Sequence, residues 1–177
     1  MKGFTLLEMI VALGVFATVA LISASSLLLL TDAQRKAFSL QSAYDNVRFS
    51  LEVMARDLRT GYSYYCGSDQ NDIIQEPTSR DCPAGGPAIS YKNFSGNTVN
   101  YRIFEGRIEK FVDGIFVGAM TSENIIVDTL TFYVVGSPSD DDWQPRVAIV
   151  IKGEAGSGRS MSKFNLQTTV SQRKINL

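Results

Sequence analysis

The sequence predicts an α+β fold in which one long N-terminal helix packs on an antiparallel β-sheet. The first sixty residues follow a helical pattern of apolar positions, and the rest forms short alternating runs separated by turn residues. Because tight turns rather than long crossovers join these runs, the strands are expected to be antiparallel. A chain of 177 residues supports one ordinary domain and one additional element.

The first half of the predicted helix has the length of a membrane span. Residues 9–30 contain no Asp, Glu, Lys or Arg, and twenty-two helical residues extend about 33 Å, enough to cross a hydrocarbon core of about 30 Å. A secretory signal has a shorter apolar core that is followed by a small-residue cleavage site. Neither label accounts for Glu8, a carboxylate that stands before the apolar run. Gly14 and the Ser23–Ser26 patch are the positions most prone to local unwinding.

The second half, residues 31–60, predicts an amphipathic helix. Its apolar residues recur at steps of three and four, which places them on one face. They are Ala33, Ala37, Leu40, Tyr44, Val47, Leu51, Met54 and Leu58. Gly61 is expected to end the helix, and Arg56 and Arg59 lie favourably near its C-terminal dipole.

Residues 61–177 predict a globular β-rich domain. Strands are expected in the runs TVNYRIFE, IIVDTLTFYVV, RVAIVIK and KFNLQTTV. Glu105-Gly106 and Asp113-Gly114 are predicted hairpin turns. The stretch from Tyr62 to Pro87, which is rich in turn residues, is expected to be a loop.

The composition argues against several classes of function. The formal net charge is -1, so no basic excess points to nucleic acid. The chain has no histidine, which removes the commonest general base and the commonest metal ligand. No enzyme activity, cofactor or metal site is therefore expected.

Two motifs resemble ligand sites on first inspection. Asp140–Asp142 form a carboxylate cluster, but they lack the alternating ligands and the glycine of an EF-hand loop, so a solvated loop is expected. Gly153–Ser160 nearly fit a phosphate-binding loop, but Arg159 replaces its lysine and strand-like alternation follows. Because that loop needs a helix N-terminus behind it, a hairpin turn is expected instead.

Cys66 and Cys82 lie sixteen positions apart in the predicted loop. If the chain is exported, they predict one disulfide that stabilises the fold by about 3 kcal/mol. The alternative is two unrelated thiols.

The N-terminal run KGFTLLEMIVALGVF, from Lys2 to Phe16, resembles the class III leader of type IV prepilins and type II secretion pseudopilins. The resemblance implies a leader peptide at residues 1–3, cleavage between Gly3 and Phe4 by prepilin peptidase, and methylation of the new Phe4 amine. The apolar helix at residues 4–30 is then retained, first in the membrane and later in the filament core.

The same resemblance implies a role for Glu8. In the family, the corresponding glutamate pairs with the α-amino group of a neighbouring subunit inside the filament. A buried charge is tolerable when it is paired, and the loss of one partner typically costs about 3–5 kcal/mol. Glu8 of one chain would therefore meet the Phe4 amine of another chain, or of another pilin, and favour one axial register.

Weaker similarities point to minor pilins and to J-type pseudopilins. The segments that carry them are MARDLRTGYSYYCG, NYRI, LTFYV and LQTTVSQR. The helix also lacks the mid-helix proline that is common in major pilins, since the first proline of the chain is Pro77. These features imply a pilin-like fold and a minor structural subunit of a pilus or pseudopilus, placed at the tip as an assembly primer.

The implied partners are other pilin or pseudopilin subunits, prepilin peptidase, the inner-membrane assembly platform and membrane lipid. The implied location is the cytoplasmic (inner) membrane, crossed once with the globular domain outside the cytoplasm, and then the filament.

The alternative is a membrane-anchored adhesin or DNA-uptake module that uses the leader only for anchoring. The cysteine loop carries Asp69, Asp72, Glu76 and Asp81 against the single cation Arg80. This balance argues against nucleic-acid binding there, because such binding depends on neutralising phosphates.

Overall fold

The computed structural model describes residues 3–138, 143–156 and 161–173. They form one long helix, α1, and nine strands, which confirms the α+β fold class. The bounds are α1 Leu6–Thr60, β1 Tyr62–Gly67, β2 Cys82–Gly86, β3 Ala88–Lys92, β4 Thr98–Phe104, β5 Arg107–Val112, β6 Ile115–Ala119, β7 Ile125–Val135, β8 Arg146–Ala155 and β9 Ser162–Ser171. The chain divides into two compact units, residues 1–38 and residues 39–177, and α1 contributes to both.

The strands form two antiparallel sheets rather than one. Sheet A has the order β1-β3-β4-β5-β6, and sheet B has the order β2-β7-β8-β9. The stretch expected to be a loop holds β1 and β2, one in each sheet. β2 is a short strand that depends on glycine, because a Cβ on Gly86 would overlap the carbonyl oxygen of Gly67 in β1. Glycine normally marks a turn, and here it permits two backbones to approach closely.

Both predicted hairpin turns are confirmed. Glu105 and Gly106 connect β4 to β5 with φ angles of 48° and 73°, and Asp113 and Gly114 connect β5 to β6 with φ angles of 50° and 77°. Two consecutive left-handed residues are the conformation of a type I′ turn, whose twist matches that of the flanking strands.

The second half of α1 buries one face in the core of unit 39–177. Its buried residues are Ala43, Val47, Ser50, Leu51, Met54 and Leu58. The predicted apolar stripe is correct from Val47 onward, but Ala43 replaces Tyr44, which is 42% exposed. The predicted positions repeat every 3.5 residues, whereas a straight helix has 3.6 residues per turn, so they drift by about 20° per heptad. Two heptads before Leu58, the buried position is therefore Ala43 rather than Tyr44.

The C-terminal end of α1 is capped by a tyrosine from β1. The Tyr64 hydroxyl lies 2.6 Å from the carbonyl oxygen of Leu58 and 2.8 Å from that of Gly61, so its proton is shared between an acceptor in the last turn of the helix and one just beyond it. Burial raises the pKa of Tyr64 above its ordinary value, which keeps the hydroxyl protonated as a donor. The helix ends at Thr60, before Gly61 as predicted, and a Cβ on Gly61 would strike the ring of Tyr91.

Asp57 of α1 is the polar link between the helix and sheet A. Its Oδ2 atom lies 2.6 Å from Lys110 Nζ in β5 and accepts a 2.7 Å hydrogen bond from the Tyr101 hydroxyl in β4. All three groups are largely shielded from solvent. Burial, and next the Asp57 carboxylate, raise the pKa of Tyr101. The cluster fixes the position of α1 on the sheet.

Asp57→Ala is expected to lower the free energy of unfolding by about 1–3 kcal/mol, because it leaves the Lys110 ammonium and the Tyr101 hydroxyl without their acceptor. Denaturant unfolding of the full chain in detergent measures the change. Asp45→Ala, an exposed position on the same helix, is the control and should change stability by less than about 0.5 kcal/mol. Equal effects of the two variants would contradict the linking role of Asp57.

Candidate functional site: the N-terminal segment and the cysteine loop

Residues 3–5 precede α1, and both sides of the predicted cleavage bond are exposed. Gly3 is exposed, and the Phe4 side chain retains 79% of its accessible surface. The helix begins only at Leu6. The bond between Gly3 and Phe4 therefore lies in non-helical chain, where a peptidase can approach it without unwinding the helix.

Thr5 is the N-cap of α1. The Glu8 amide donates a 3.3 Å hydrogen bond to Thr5 Oγ1, and the Met9 amide donates a 3.2 Å bond to the Thr5 carbonyl oxygen. Thr5-Leu6-Leu7-Glu8 has the spacing of a capping box, in which the N-cap hydroxyl satisfies the amide of the N3 residue. The sequence reasoning did not assign Thr5, although this spacing was visible in the sequence.

The Glu8 carboxylate is exposed in the first turn of α1. The N-terminal end of a helix dipole favours a negative charge at this position. Within residues 3–138, 143–156 and 161–173, no Lys or Arg lies within ion-pair distance of Glu8. The carboxylate is therefore accessible to a cation on another molecule.

The stretch from Met9 to Leu30 is helical throughout, Gly14 and the serine patch included, and its side chains are exposed. Its hydroxyl groups turn back onto the helix: Thr18 donates to the Val15 carbonyl oxygen at 2.8 Å, and Ser25 donates to that of Leu21 at 2.9 Å. A hydroxyl satisfied inside the helix needs no water. The segment is thus long and apolar enough to span a membrane.

The family described as the prokaryotic N-terminal methylation motif matches residues 1–24. This chain carries the N-terminal motif of type IV prepilins and pseudopilins. The prepilin motif covers both the leader and most of the apolar helix, so the family resemblance inferred from the sequence is confirmed. It supports membrane anchoring, processing by prepilin peptidase and assembly with other pilin subunits, and it suggests a structural rather than an enzymatic role. No curated protein and no solved structure matches the chain significantly.

The two cysteines lie on strands of different sheets and share one neighbour. Cys66 is buried in β1, and Cys82 begins β2. Their Sγ atoms lie 3.5 Å and 3.8 Å from the same Phe132 carbonyl oxygen, and both are free thiols. Burial first, and then the hydrogen bond with Cys82, raise the pKa of Cys66. The fold brings the two sulfurs together, and the disulfide stays a prediction.

The loop between the cysteines, residues 68–81, covers the polar face of sheet A. The Asn100 side-chain amide donates to the Ile74 carbonyl oxygen at 3.2 Å, and the Ile74 amide donates to Ser90 Oγ at the same distance. The Thr98 hydroxyl donates to the Gln75 carbonyl oxygen. Ser90, Thr98 and Asn100 are consequently almost fully buried. These hydrogen bonds hold the loop against strands β3 and β4.

Acidic residues of the loop are engaged in its own structure. The Asp72 carboxylate accepts hydrogen bonds from the Ser68 amide at 2.7 Å and from the Ser68 hydroxyl at 2.9 Å, and the amide bond is the main reason that its pKa is lowered. Asp81 accepts a 2.8 Å bond from the Ser137 amide. Asp72 thus organises the loop itself, and Asp81 ties its end to the segment that follows β7.

The remaining motifs give no site among the described residues. The Asp140–Asp142 cluster and residues 157–160 lie outside them. Strand β9 begins at Ser162, shortly after the glycine-rich stretch, so the helix that a phosphate-binding loop requires does not follow. Within the described parts of the chain, no three His, Cys, Asp or Glu side chains come together in a group that could hold a metal ion.

Thr5→Val is expected to weaken the start of α1 by about 1 kcal/mol, because it removes the hydroxyl that caps the Glu8 amide. Amide hydrogen exchange of the full chain in micelles should therefore accelerate at Glu8 by about fivefold, the factor that corresponds to 1 kcal/mol. Thr5→Ser keeps the hydroxyl and should exchange like the parent chain. Identical exchange in the Val and Ser variants would contradict the cap.

Proposed function

We propose that this chain is a minor structural subunit of a type IV pilus or a type II secretion pseudopilus, and that prepilin peptidase cuts it between Gly3 and Phe4. The observation that carries the proposal is the order of features at the N-terminus. A methylation motif at residues 1–24 contains an exposed bond, a capped helix start and an exposed carboxylate, and the charge-free span that begins within it continues to Leu30.

The apolar helix is proposed to serve two environments in succession. It first anchors the chain in the cytoplasmic membrane, with residues 61–177 outside the cytoplasm. The inner-membrane assembly platform then transfers it into a bundle of similar helices. Because a helix that is apolar on all sides is compatible with lipid and with other apolar helices, the same surface suits storage and assembly.

Glu8 is proposed to set the axial position of each subunit. Cleavage frees the Phe4 amine, which keeps its positive charge after methylation. In the apolar core of a filament, a carboxylate without its partner is strongly disfavoured. Glu8 of one subunit would therefore meet the Phe4 amine of its neighbour, and a subunit displaced along the axis would leave both charges unpaired.

Two features support a minor rather than a major subunit. The helix holds no proline, since Pro77 is the first in the sequence, and the globular unit contains two sheets. We place the subunit at the tip, where a chain incorporated first would prime assembly.

Cys66 and Cys82 are proposed to form a disulfide once the globular unit reaches an oxidising compartment. Their shared contact with the Phe132 carbonyl oxygen supports the pairing. The bridge would close the loop of residues 68–81 at its base.

The intact mass of the mature chain tests the processing and the bridge together. It should lack Met1–Gly3, carry one additional methyl group on Phe4 and be lighter by the two hydrogens that the disulfide removes. Reduction should restore those hydrogens and leave the methyl group in place. A full-length N-terminus in a host with active peptidase would overturn the processing, and a mass unchanged by reduction would overturn only the bridge.

Glu8→Ala is expected to leave membrane insertion unchanged and to reduce incorporation into filaments by about a hundredfold or more, which corresponds to losing one partner of a buried pair. Glu8→Gln separates charge from capping, because glutamine also suits the third position of a capping box. Both Glu8 variants should fail to enter filaments, and the exposed control Glu123→Ala should assemble normally. Sheared filaments and membranes are compared by immunoblot, and normal assembly of Glu8→Gln would refute the charge pairing.

A further inference from the structure

The two sheets have four outermost strands among the described residues, and two of these face each other. The outer edge of β1 meets β2 where Gly67 and Gly86 come close. The Tyr64 carbonyl oxygen on the same edge accepts a 3.0 Å hydrogen bond from the Arg80 amide. Strands β6 and β9 are the other two outermost strands of the described sheets.

Strand β6 is an apolar edge. Its side chains Ile115, Phe116 and Val117 are 71%, 53% and 60% exposed, and because neighbouring side chains alternate, they present apolar groups on both faces. No charged residue occurs from 114 to 122. Exposed edge strands usually carry lysine, proline or inward-pointing charges that prevent pairing with other chains. Strand β6 carries none of these protections.

Strand β9 is a second edge whose only charged residue is Lys163, near its start, and a groove runs beside it. Residues 164–172 contain no charged residue. The groove has a volume of about 540 Å³ and lies between β9 and the second half of α1; Tyr44, Arg48 and Leu166 are among the residues that line it. The Arg173 amide, just beyond β9, donates a 2.8 Å hydrogen bond to the Arg59 carbonyl oxygen. Strand β9 thus runs in the same direction as α1.

Strand β6 runs in the opposite direction. Beyond its end, the carbonyl oxygen of Met120 accepts a hydrogen bond from Ser50 Oγ, and the Ser122 amide donates a 3.2 Å bond to Asn46 Oδ1. The chain that leaves β6 therefore moves towards the N-terminal end of α1. When two copies of the molecule hold their helices parallel, β6 of one copy and β9 of the other run antiparallel.

We propose that β6 of one copy pairs with β9 of a second copy, along the groove beside α1. The pairing joins β6, which has no charged residue, to the uncharged stretch 164–171 of β9, and it has the antiparallel sense that strands pair in most stably. It rests on the proposed function, because subunits of one filament keep their helices parallel. Because β6 and β9 are different surfaces of the same chain, one copy can offer β6 while its neighbour offers β9. Copies of this minor subunit would therefore lie side by side at the tip rather than singly.

Site-directed cross-linking in intact cells tests the pairing. Two full-length copies with different tags are expressed together, one with Val117→Cys and the other with Gln167→Cys, and treated with a short bismaleimide. A product that carries both tags and requires both substitutions is expected. The unsubstituted pair and each single substitution control for the native thiols.

Two results would overturn the inference. If Val117→Cys in both copies gives as much product as the mixed pair, β6 contacts β6 instead. If the mixed pair gives no product in cells whose chain has the mature, methylated N-terminus, the strands do not meet, although the filament role stands. An unprocessed chain in the same cells would overturn the proposed function, and with it the inference.

A charge on the edge provides an independent test. The second series cross-links Ile115→Cys of one copy to Gln167→Cys of the other copy. The copy with Ile115→Cys also carries Val117→Lys. The cross-linked fraction should fall about tenfold, as expected for a penalty near 1.4 kcal/mol. Phe94→Lys, at a position that is 89% exposed on the β3–β4 turn, is the matched control and should leave the yield unchanged. An unchanged yield with Val117→Lys would contradict strand pairing.

Discussion

The apolar surface of α1 must be covered along its entire length, and the rest of the structure follows from how that requirement is met. From Met9 to Leu30 the surface is apolar on all sides and none of the described residues covers it, which suits it to lipid or to other apolar helices. From Ala43 to Leu58 only one face is apolar, and the two sheets cover it. Near residue 31 the pattern changes from a helix that is apolar on all sides to a helix with one apolar face. The two parts of α1 therefore suit different surroundings.

Covering the helix leaves polar groups in shielded positions, and several of them have specific partners. Asp57 holds Lys110 and Tyr101 at the contact with sheet A, while Tyr64 closes the end of the helix. On the opposite face of sheet A, the cysteine loop forms hydrogen bonds with polar side chains of β3 and β4. These two strands are thus largely buried on both faces, although antiparallel sheets commonly leave one face in water.

The sequence was sufficient for the long helix, its end at Gly61 and both type I′ turns, because each depends on local chemistry. The sequence was not sufficient for β1, a tyrosine-rich run, or for β2, which ends in a glycine pair. These segments become strands only because β3 and β7 supply their hydrogen-bonding partners. In β4, Asn100 alternates with the apolar Val99 and Tyr101, and the cysteine loop buries it on the other face of the strand. In the N-terminal site, Gly3, Phe4 and Glu8 were identified through the leader motif. Thr5 was not assigned, because the leader motif identifies the charged Glu8, whereas the capping role of Thr5 depends on a hydrogen bond to the Glu8 amide.

The buried position of Cys66 has a consequence for the order of events during maturation. Thiol–disulfide exchange requires a thiolate that an oxidant can reach, and in the folded unit the Cys66 thiol is enclosed and its pKa is raised. An oxidant therefore reaches Cys66 only while β1 is still undocked, whereas Cys82 stays partly exposed in the folded unit. If the pair forms the proposed disulfide, oxidation of a folded chain has to begin at Cys82, so the order in which the two thiols react depends on whether β1 has docked.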